Sequence, residues 1–537
     1  MVIVGLLRGA RLGRIAVAAV VALGFGLAGV PAAAETVAFR QALAAAMSED
    51  AAVAEFYRAR DYAPLWTGAD DARRRAALVS ALSSVDSHGL PAARYDLEGL
   101  IAAFSGLRTD GDRGRLEARA TRAFLAYARD VSSGVLTPSR IDPGMVRTVV
   151  RPDPAALLDG VAGADPAAFL RTLPPQAPEY ARLVRERHRL VEVIAAGGWG
   201  ATVPDGRYEP GATGPAVIAL RDRLIAMGYL PRRAEAGFDG AVQAAVIAFQ
   251  ADHGLEADGI AGPSTVAALN VGPEERLKSV LVALERERWM NFDRGARHVW
   301  VNLADFRVRI IDNGKVTFET RSVIGRNSSD RRSPEFSDEM THLVINPSWY
   351  VPRSITTSEY LPRLQRDPTA VGHIDVLDSR GRVVDRESTD FSQFSTRSFP
   401  FSMRQRPGPG NALGKVKFMF PNPWNIYLHD TPERALFSRE VRDFSHGCIR
   451  LNDPFDFAYM LLDPQSDDPE GLFHSILNTG RETRLDLAVP VPVHIVYRTA
   501  VIPARGKANY RADIYGRDAR IFAALAGAGL ELPEPRS

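Results

Sequence analysis

The chain has 537 residues and a mass of 58.5 kDa, more than one hydrophobic core usually holds, so several domains are expected. A hydrophobic fraction of 46% and a charged fraction of 24% are ordinary for soluble globular proteins and exclude wholesale disorder and a polytopic membrane protein. The formal charge of +2, with no lysine- or arginine-rich run, excludes nucleic acid as the main partner.

Arg8, Arg11 and Arg14 precede an apolar run over 15–30, and Pro31-Ala32-Ala33-Ala34 offers a small-residue cleavage site before Glu35. That order reads as an export signal over residues 1–34. The apolar run also approaches spanning length, so an uncleaved membrane anchor is the alternative. Either way the bulk of the chain is expected outside the cytoplasm.

Residues 35–205 are rich in alanine, leucine and arginine with helical periodicity, at 73–84, 116–131 and 180–194, and predict a helical scaffold domain. His88 beside Gly89 reads as a helix-end residue. A compact module at 209–272 follows, with amphipathic helices around Val217, Leu220 and Leu224 and around Val242 to Phe249, then Asp258-Gly259-Ile260-Ala261-Gly262-Pro263. Residues 273–292 read as a connector helix. Its apolar stripe is Leu277, Val280, Leu281 and Leu284, with charges from Glu285 to Arg288 near its end.

At about 296 the period changes to alternating. Val299-Trp300-Val301-Asn302-Leu303 and 306–311 end at Asp312-Asn313-Gly314, a hairpin turn signal. Strands are also predicted at 315–324, 341–346, 414–419, 424–428 and 491–497, which makes 296–500 a β-rich domain of mixed sheets. An insertion at about 353–411 interrupts it, with a short helix at 358–365 and a strand at 374–377. It reads as a lid over a cleft or as a solvated decoration. Residues 501–537 form a C-terminal extension. Asp453-Pro454 before 455–462 fits a helix N-cap with proline at the first helical position.

Cys448 is the only cysteine, in Ser445-His446-Gly447-Cys448-Ile449-Arg450. An exported chain with one thiol has no intrachain disulfide partner. A small buried hydrophobe is the plain alternative, but Gly447 permits close approach to the sulfur, and His446 and Arg450 keep its surroundings polar and electropositive. Upstream, Tyr427-Leu428-His429-Asp430 leaves fifteen residues between His429 and Ser445, enough for a loop to return the imidazole to the thiol. An unperturbed thiol, with a pKa of about 8.5, is only a few per cent ionised at neutral pH. A histidine in reach can take its proton and later return it to a leaving amine. The amides around Gly447 and Cys448 are natural donors to the oxyanion that develops. No H-E-x-x-H or paired-cysteine spacing exists, so neither a metal nor another cofactor is expected.

The pattern His-x15-Ser-His-Gly-Cys followed by Ile-Arg resembles the signature of the L,D-transpeptidase family, and the flanking residues look like its large, multidomain Gram-negative members. Phe56-Tyr57-Arg58 and Tyr62-Ala63-Pro64-Leu65-Trp66 resemble the helical scaffold of those members, and the elements of 209–272 are similar to a peptidoglycan-binding domain. The resemblance implies a multidomain α+β protein: helical scaffold, small three-helix peptidoglycan-binding-like domain, and sandwich-like catalytic domain with an inserted cap. It implies a periplasmic enzyme whose partner is peptidoglycan, its tetrapeptide stems and glycan strands. Cys448 would be the nucleophile, His429 the general base and acid, and Asp430 the orienter of His429 through its backbone carbonyl. Ser445, His446 and Gly447 would form the oxyanion loop. Arg450 would either pair with a stem carboxylate or brace the loop. Trp349, Trp424 and Tyr427, aromatic residues near the motifs, read as cleft lining or simply as core. Two questions stay open at this level: whether the acceptor is an amine or water, as in an L,D-carboxypeptidase, and whether 209–272 binds glycan or is a spacer.

Overall fold

Capping chemistry sets where many helices begin. Asp50, Asp153 and Asp165 accept helix amides at the starts of Ala51–Ala59, Pro154–Ala162 and Pro166–Thr172, and Thr109 and Asp112 form a reciprocal box that opens Asp110–Ser133. The computed structural model describes residues 36–232 and 234–533. The expected export signal at 1–34 lies outside the described residues. No described helix is long and apolar enough to cross a membrane.

The N-terminal helices pack around Trp66, Phe124 and Leu158. Their centre is polar: the buried Glu117 carboxylate accepts from the Tyr57 hydroxyl (2.7 Å) and from the amides of Leu65 (2.6 Å), Trp66 (3.1 Å) and Thr67 (2.9 Å). The segment around Tyr57 and Trp66 is thereby fixed to Asp110–Ser133. His88 ends a short helical turn, where its Nδ1 contacts the Tyr180 hydroxyl at 3.0 Å. Pro215–Ala226, Gly240–His253 and Pro263–Asn270 form the expected three-helix module over their own core.

The connector helix is Pro273–Trp289. The charges near its end, Glu285, Arg286, Glu287 and Arg288, are all buried. Isolated buried charges are prohibitively costly, so each is paired. Glu285 meets Arg288 (2.9 Å), Arg286 meets Glu335 (2.5 Å) and Asp518 (3.4 Å), and Glu287 meets Arg294 (2.6 Å) and Arg498. The helix is a hub that the scaffold, the β-domain and the C-terminal extension all grip.

The β-domain strands are β1 Arg297–Asn302, β2 Arg307–Asp312, β3 Lys315–Gly325, β4 Phe336–Ile345, β5 Val416–Met419, β6 Leu428–His429, β7 Asp443–Ser445, β8 Ile449–Leu451 and β9 Thr483–Val496. Asn313 and Gly314, both at positive φ, make the β2–β3 turn. The order is β7-β3-β8-β6-β5-β4-β9-β1-β2, and β2 also pairs with β3, so the mixed sheet folds back on itself around one core. Pairings β1–β9, β3–β7 and β6–β8 are parallel and the others antiparallel.

The strand expected at 424–428 contracts to β6. Asn425 takes a positive φ, and the Asn422 side chain accepts from the amides of Trp424 and Ile426 (both 3.1 Å), which holds that segment as a turn. The insertion forms a three-stranded sheet with the strand that leads into it, in the order Trp349–Tyr350, Ser402–Gln405 and Asp375–Leu377, over a separate apolar core. Asp453 stands at the N-cap of Pro454–Leu462, but its carboxylate accepts the Thr320 hydroxyl (2.7 Å) instead of a helix amide.

Candidate active site

β6 and β8 run parallel, with Leu428 opposite Ile449 and His429 opposite Arg450, and the Ile449 amide donates to the Tyr427 carbonyl at 3.1 Å. Side chains alternate across a strand. Leu428 and Ile449 fill the core, so Tyr427, His429, Cys448 and Arg450 share the opposite face. This register gathers onto one patch residues that lie nineteen positions apart along the chain, His429 to Cys448.

The loop between β7 and β8 turns at Gly447, whose φ of +115° suits only glycine. The Gly447 carbonyl accepts from Ser333 Oγ (2.6 Å), which itself accepts from the Gly325 amide (3.0 Å). Ser445 is buried beneath the loop, and its carbonyl accepts from the Arg326 amide at 2.8 Å. Among the described residues, the amides of Gly447 and Cys448 donate to no backbone oxygen.

His429 is only 4% exposed, and its Nδ1 lies 2.5 Å from the Asp430 carbonyl oxygen. The Asp430 carboxylate is occupied elsewhere, accepting from the amides of Lys415 (2.8 Å) and Thr431 (2.7 Å). Burial, and after it the charge of Arg450, pushes His429 down to about 3, so the ring is neutral, with Nδ1 carrying the proton and Nε2 a free lone pair.

The half-buried Cys448 thiol donates to the Asn425 carbonyl at 3.5 Å, and Tyr427 hydrogen-bonds it as well. Burial pushes the thiol up to about 11, against the downward pull of Tyr427, Arg450 and Lys417. The electropositive setting expected from sequence is present, but desolvation outweighs it. No hydrogen bond joins thiol and imidazole among the described residues.

Arg450 pairs with Glu433, and its Nε is buried without a partner. The Tyr427 ring stands 5.7 Å from that of His429. Trp424, 40% exposed, packs on Phe336 at 4.8 Å, next in sequence to the Asn425 that holds the thiol. Trp349 is not gathered into this patch but packs on Tyr360 in the cap core. His446 turns outward, where its Nε2 meets Glu359 of the cap at 2.7 Å, and Glu359 also takes Arg331 at 2.8 Å. Sequence reasoning missed Glu359, Lys417, Asn425 and Ser333. Lys417, opposite His429 across β5–β6, and Asn425 both lay on predicted strands, whereas Glu359 and Ser333 did not.

Residues 296–491 match the family described as the L,D-transpeptidase catalytic domain, 213–269 match a provisionally named peptidoglycan binding domain, and 51–186 match a scaffold domain. A provisionally named L,D-transpeptidase of Haemophilus influenzae is 33% identical over 225 residues, 42% of this chain and 45% of the relative, so the match spans less than half of that protein. Two solved L,D-transpeptidases overlap more loosely. The one from Xylanimonas cellulosilytica is 16% identical with a TM-score of 0.16, covering 55% of this chain and 98% of that one. The one from Stackebrandtia nassauensis is 14% identical with a TM-score of 0.20, covering 55% and 96%. The sequence matches show that this chain carries an L,D-transpeptidase catalytic domain, preceded by a scaffold domain and a domain of the peptidoglycan-binding type.

Proposed function

We propose that the protein cross-links peptidoglycan by acyl transfer through a thioester on Cys448. The carrying observation is the β6–β8 register, which sets Cys448 beside a neutral His429 whose Nδ1 is tied to the Asp430 carbonyl. In the acylation step, Cys448 Sγ attacks the carbonyl of the last peptide bond of a tetrapeptide stem while its proton passes to His429 Nε2. The tetrahedral oxyanion is held by the Gly447 and Cys448 amides. Collapse breaks the C–N bond, and His429 returns the proton to the departing amine. The amine of a neighbouring stem then attacks the thioester, gives its proton to His429 and releases the sulfur, which takes that proton back. His446 and Ser445 shape the loop, Arg450 sets the charge around both reacting groups, and Trp424 and Tyr427 edge the cleft. The export reading of 1–34 assigns this chemistry to the periplasm.

Mass spectrometry of products from purified tetrapeptide stems tests the reading. A stem dimer supports it, and a trimmed monomer identifies a carboxypeptidase that uses water as acceptor. Unchanged stems, or turnover that survives Cys448→Ala, refute it.

A further inference from the structure

The row of side chains that crosses the active face holds one cation with nothing to neutralise it. Lys417 stands opposite His429 across the antiparallel β5–β6 pair, and His429 stands opposite Arg450 across the parallel β6–β8 pair. Val416 and Phe418 fill the core, so alternation along β5 puts Lys417 on the face that His429 and Arg450 share with Tyr427 and Cys448. Residues directly opposed across an antiparallel pair have Cβ atoms about 4.5–5.5 Å apart. The Lys417 Nζ lies 5.9 Å from the centre of the Tyr427 ring, whose side chain hydrogen-bonds the thiol, and its charge acts on both Cys448 and His429.

The two cations of this row differ. Arg450 is matched by Glu433. Lys417 is half-buried, yet its ammonium forms no hydrogen bond or ion pair among the described residues. Burial pulls its pKa below the usual lysine value, against the opposing charges of Glu482 and Cys448. A partly desolvated ammonium, with three donors that no protein group uses, gains most from an anion that brings acceptor oxygens with it. The acyl-transfer reaction supplies such an anion. Attack on the last peptide bond of a tetrapeptide stem finds the terminal carboxylate three bonds from the attacked carbon, on the side of the leaving amine. A pentapeptide stem carries a neutral amide at that place.

We infer that Lys417 binds the terminal carboxylate of the donor stem and thereby selects donors that end one residue beyond the bond that is cut. The inference rests on the acyl-transfer reading above and goes further by naming the group that decides where on a stem the enzyme cuts. Because Lys417 neighbours His429, a carboxylate held there keeps the departing amine on the imidazole side of the sulfur.

Two small alkylating agents isolate the carboxylate site from stem chemistry: iodoacetate, and iodoacetamide, which carries an amide in place of the carboxylate. The ratio of their rates at Cys448, read by intact mass, cancels any effect of Lys417 on ionisation of the thiol. In the wild type this ratio should exceed that of a small free thiol in the same buffer by about tenfold or more, the scale of one hydrogen bond to a charged group. Lys417→Met should return the ratio to the free-thiol value, and Lys417→Arg should keep it high. With tetrapeptide stems, the free acid should acylate Cys448 about tenfold or more faster than the C-terminal carboxamide, and Lys417→Met should bring the two to one rate. A wild-type ratio equal to that of the free thiol overturns the inference without any variant, and so does a preference for the acid that survives Lys417→Met. Stems that leave Cys448 unreacted would refute the acyl-transfer reading instead, and the haloacetate ratio would still decide the carboxylate site.

Discussion

In the empty site the proton belongs on sulfur. Cys448 is pushed up to about 11 and His429 down to about 3, so moving the proton from Sγ to Nε2 is uphill before substrate binds. A thiol with a pKa of about 11 is ionised to roughly one part in ten thousand at pH 7, about a hundredfold less than one at the reference value of 9.0. The perturbation is pH, and the assay is the rate of Cys448 alkylation by iodoacetamide, followed by intact mass from pH 5 to 10.5. The logarithm of the rate should climb with unit slope through neutrality, with no plateau below about pH 10. At pH 7 the rate should lie about a hundredfold below that of a small free thiol. The ion pair then forms only once a substrate excludes water and supplies a carbonyl to receive the charge. A rate that is flat from pH 5 to 9 would reveal a preformed thiolate–imidazolium pair and refute the argument that burial dominates this site.

Four further outcomes follow from the geometry. His429→Ala should slow acylation by stems at least about a hundredfold, the usual scale for a positioned acid–base group, as read from single-turnover mass spectra. Glu359→Ala frees His446 and Arg331 from the cap; because such half-exposed pairs contribute only about 0–1 kcal/mol, thermal stability should barely move while KM for stems changes. Tyr515→Phe leaves the Gly325 carbonyl and the Ser333 amide without their shared hydroxyl, and should cost about 1–3 kcal/mol in urea unfolding. His429 and His253 at about 3, with His88 and His494 at about 4, are neutral when folded but protonate near 6.5 when unfolded. The unfolded chain then binds more protons, so stability should be full above about pH 6.5 and fall as pH drops toward 3, measured by urea midpoints.

What the sequence made legible was local. The Ser445–Arg450 motif, the Asp312-Asn313-Gly314 hairpin, the three-helix module and the connector helix depend on spacing and turn chemistry within a few residues, and each appears where the pattern puts it. The Asp430 carbonyl also contacts His429 as the family resemblance implies, because the two are neighbours in the chain. Contacts that depend on distant partners were not legible. Glu285 to Arg288 read only as charges near a helix end, because nothing nearby announces Glu335, Arg498 or Asp518. Glu359 reaches His446 across eighty-seven positions, from an insertion whose pattern carries no trace of that approach. The thiol's ionisation was not legible for a related reason: charge can be counted along a sequence, whereas desolvation depends on what folds over the site.

The loop that carries Cys448 rests on parts of the chain outside the residues matched as catalytic domain. Ser333 Oγ holds the Gly447 carbonyl, and Arg517 of the C-terminal extension holds the Ser333 carbonyl at 3.1 Å. Tyr515, also in the extension, bridges Ser333 and Gly325. Packing here is tight enough that a Cβ on Gly325 would meet the Arg331 carbonyl oxygen at 2.0 Å and the Gly447 Cα at 3.0 Å, both backbone atoms with little room to yield. Glu335, two residues after Ser333, is buried with Arg517 (3.1 Å) and with Arg286 of the connector (2.5 Å), and its amide donates to the Gly144 carbonyl of the scaffold at 2.7 Å. Removing Glu335 takes from both buried guanidinium groups their nearest carboxylate, and breaking a buried pair in this way costs about 3–5 kcal/mol, comparable to much of a domain's net stability. The loop that carries Cys448 thus rests, through Ser333, on Arg517, which ion pairs with Glu335 and Asp142 tie to the connector and the scaffold.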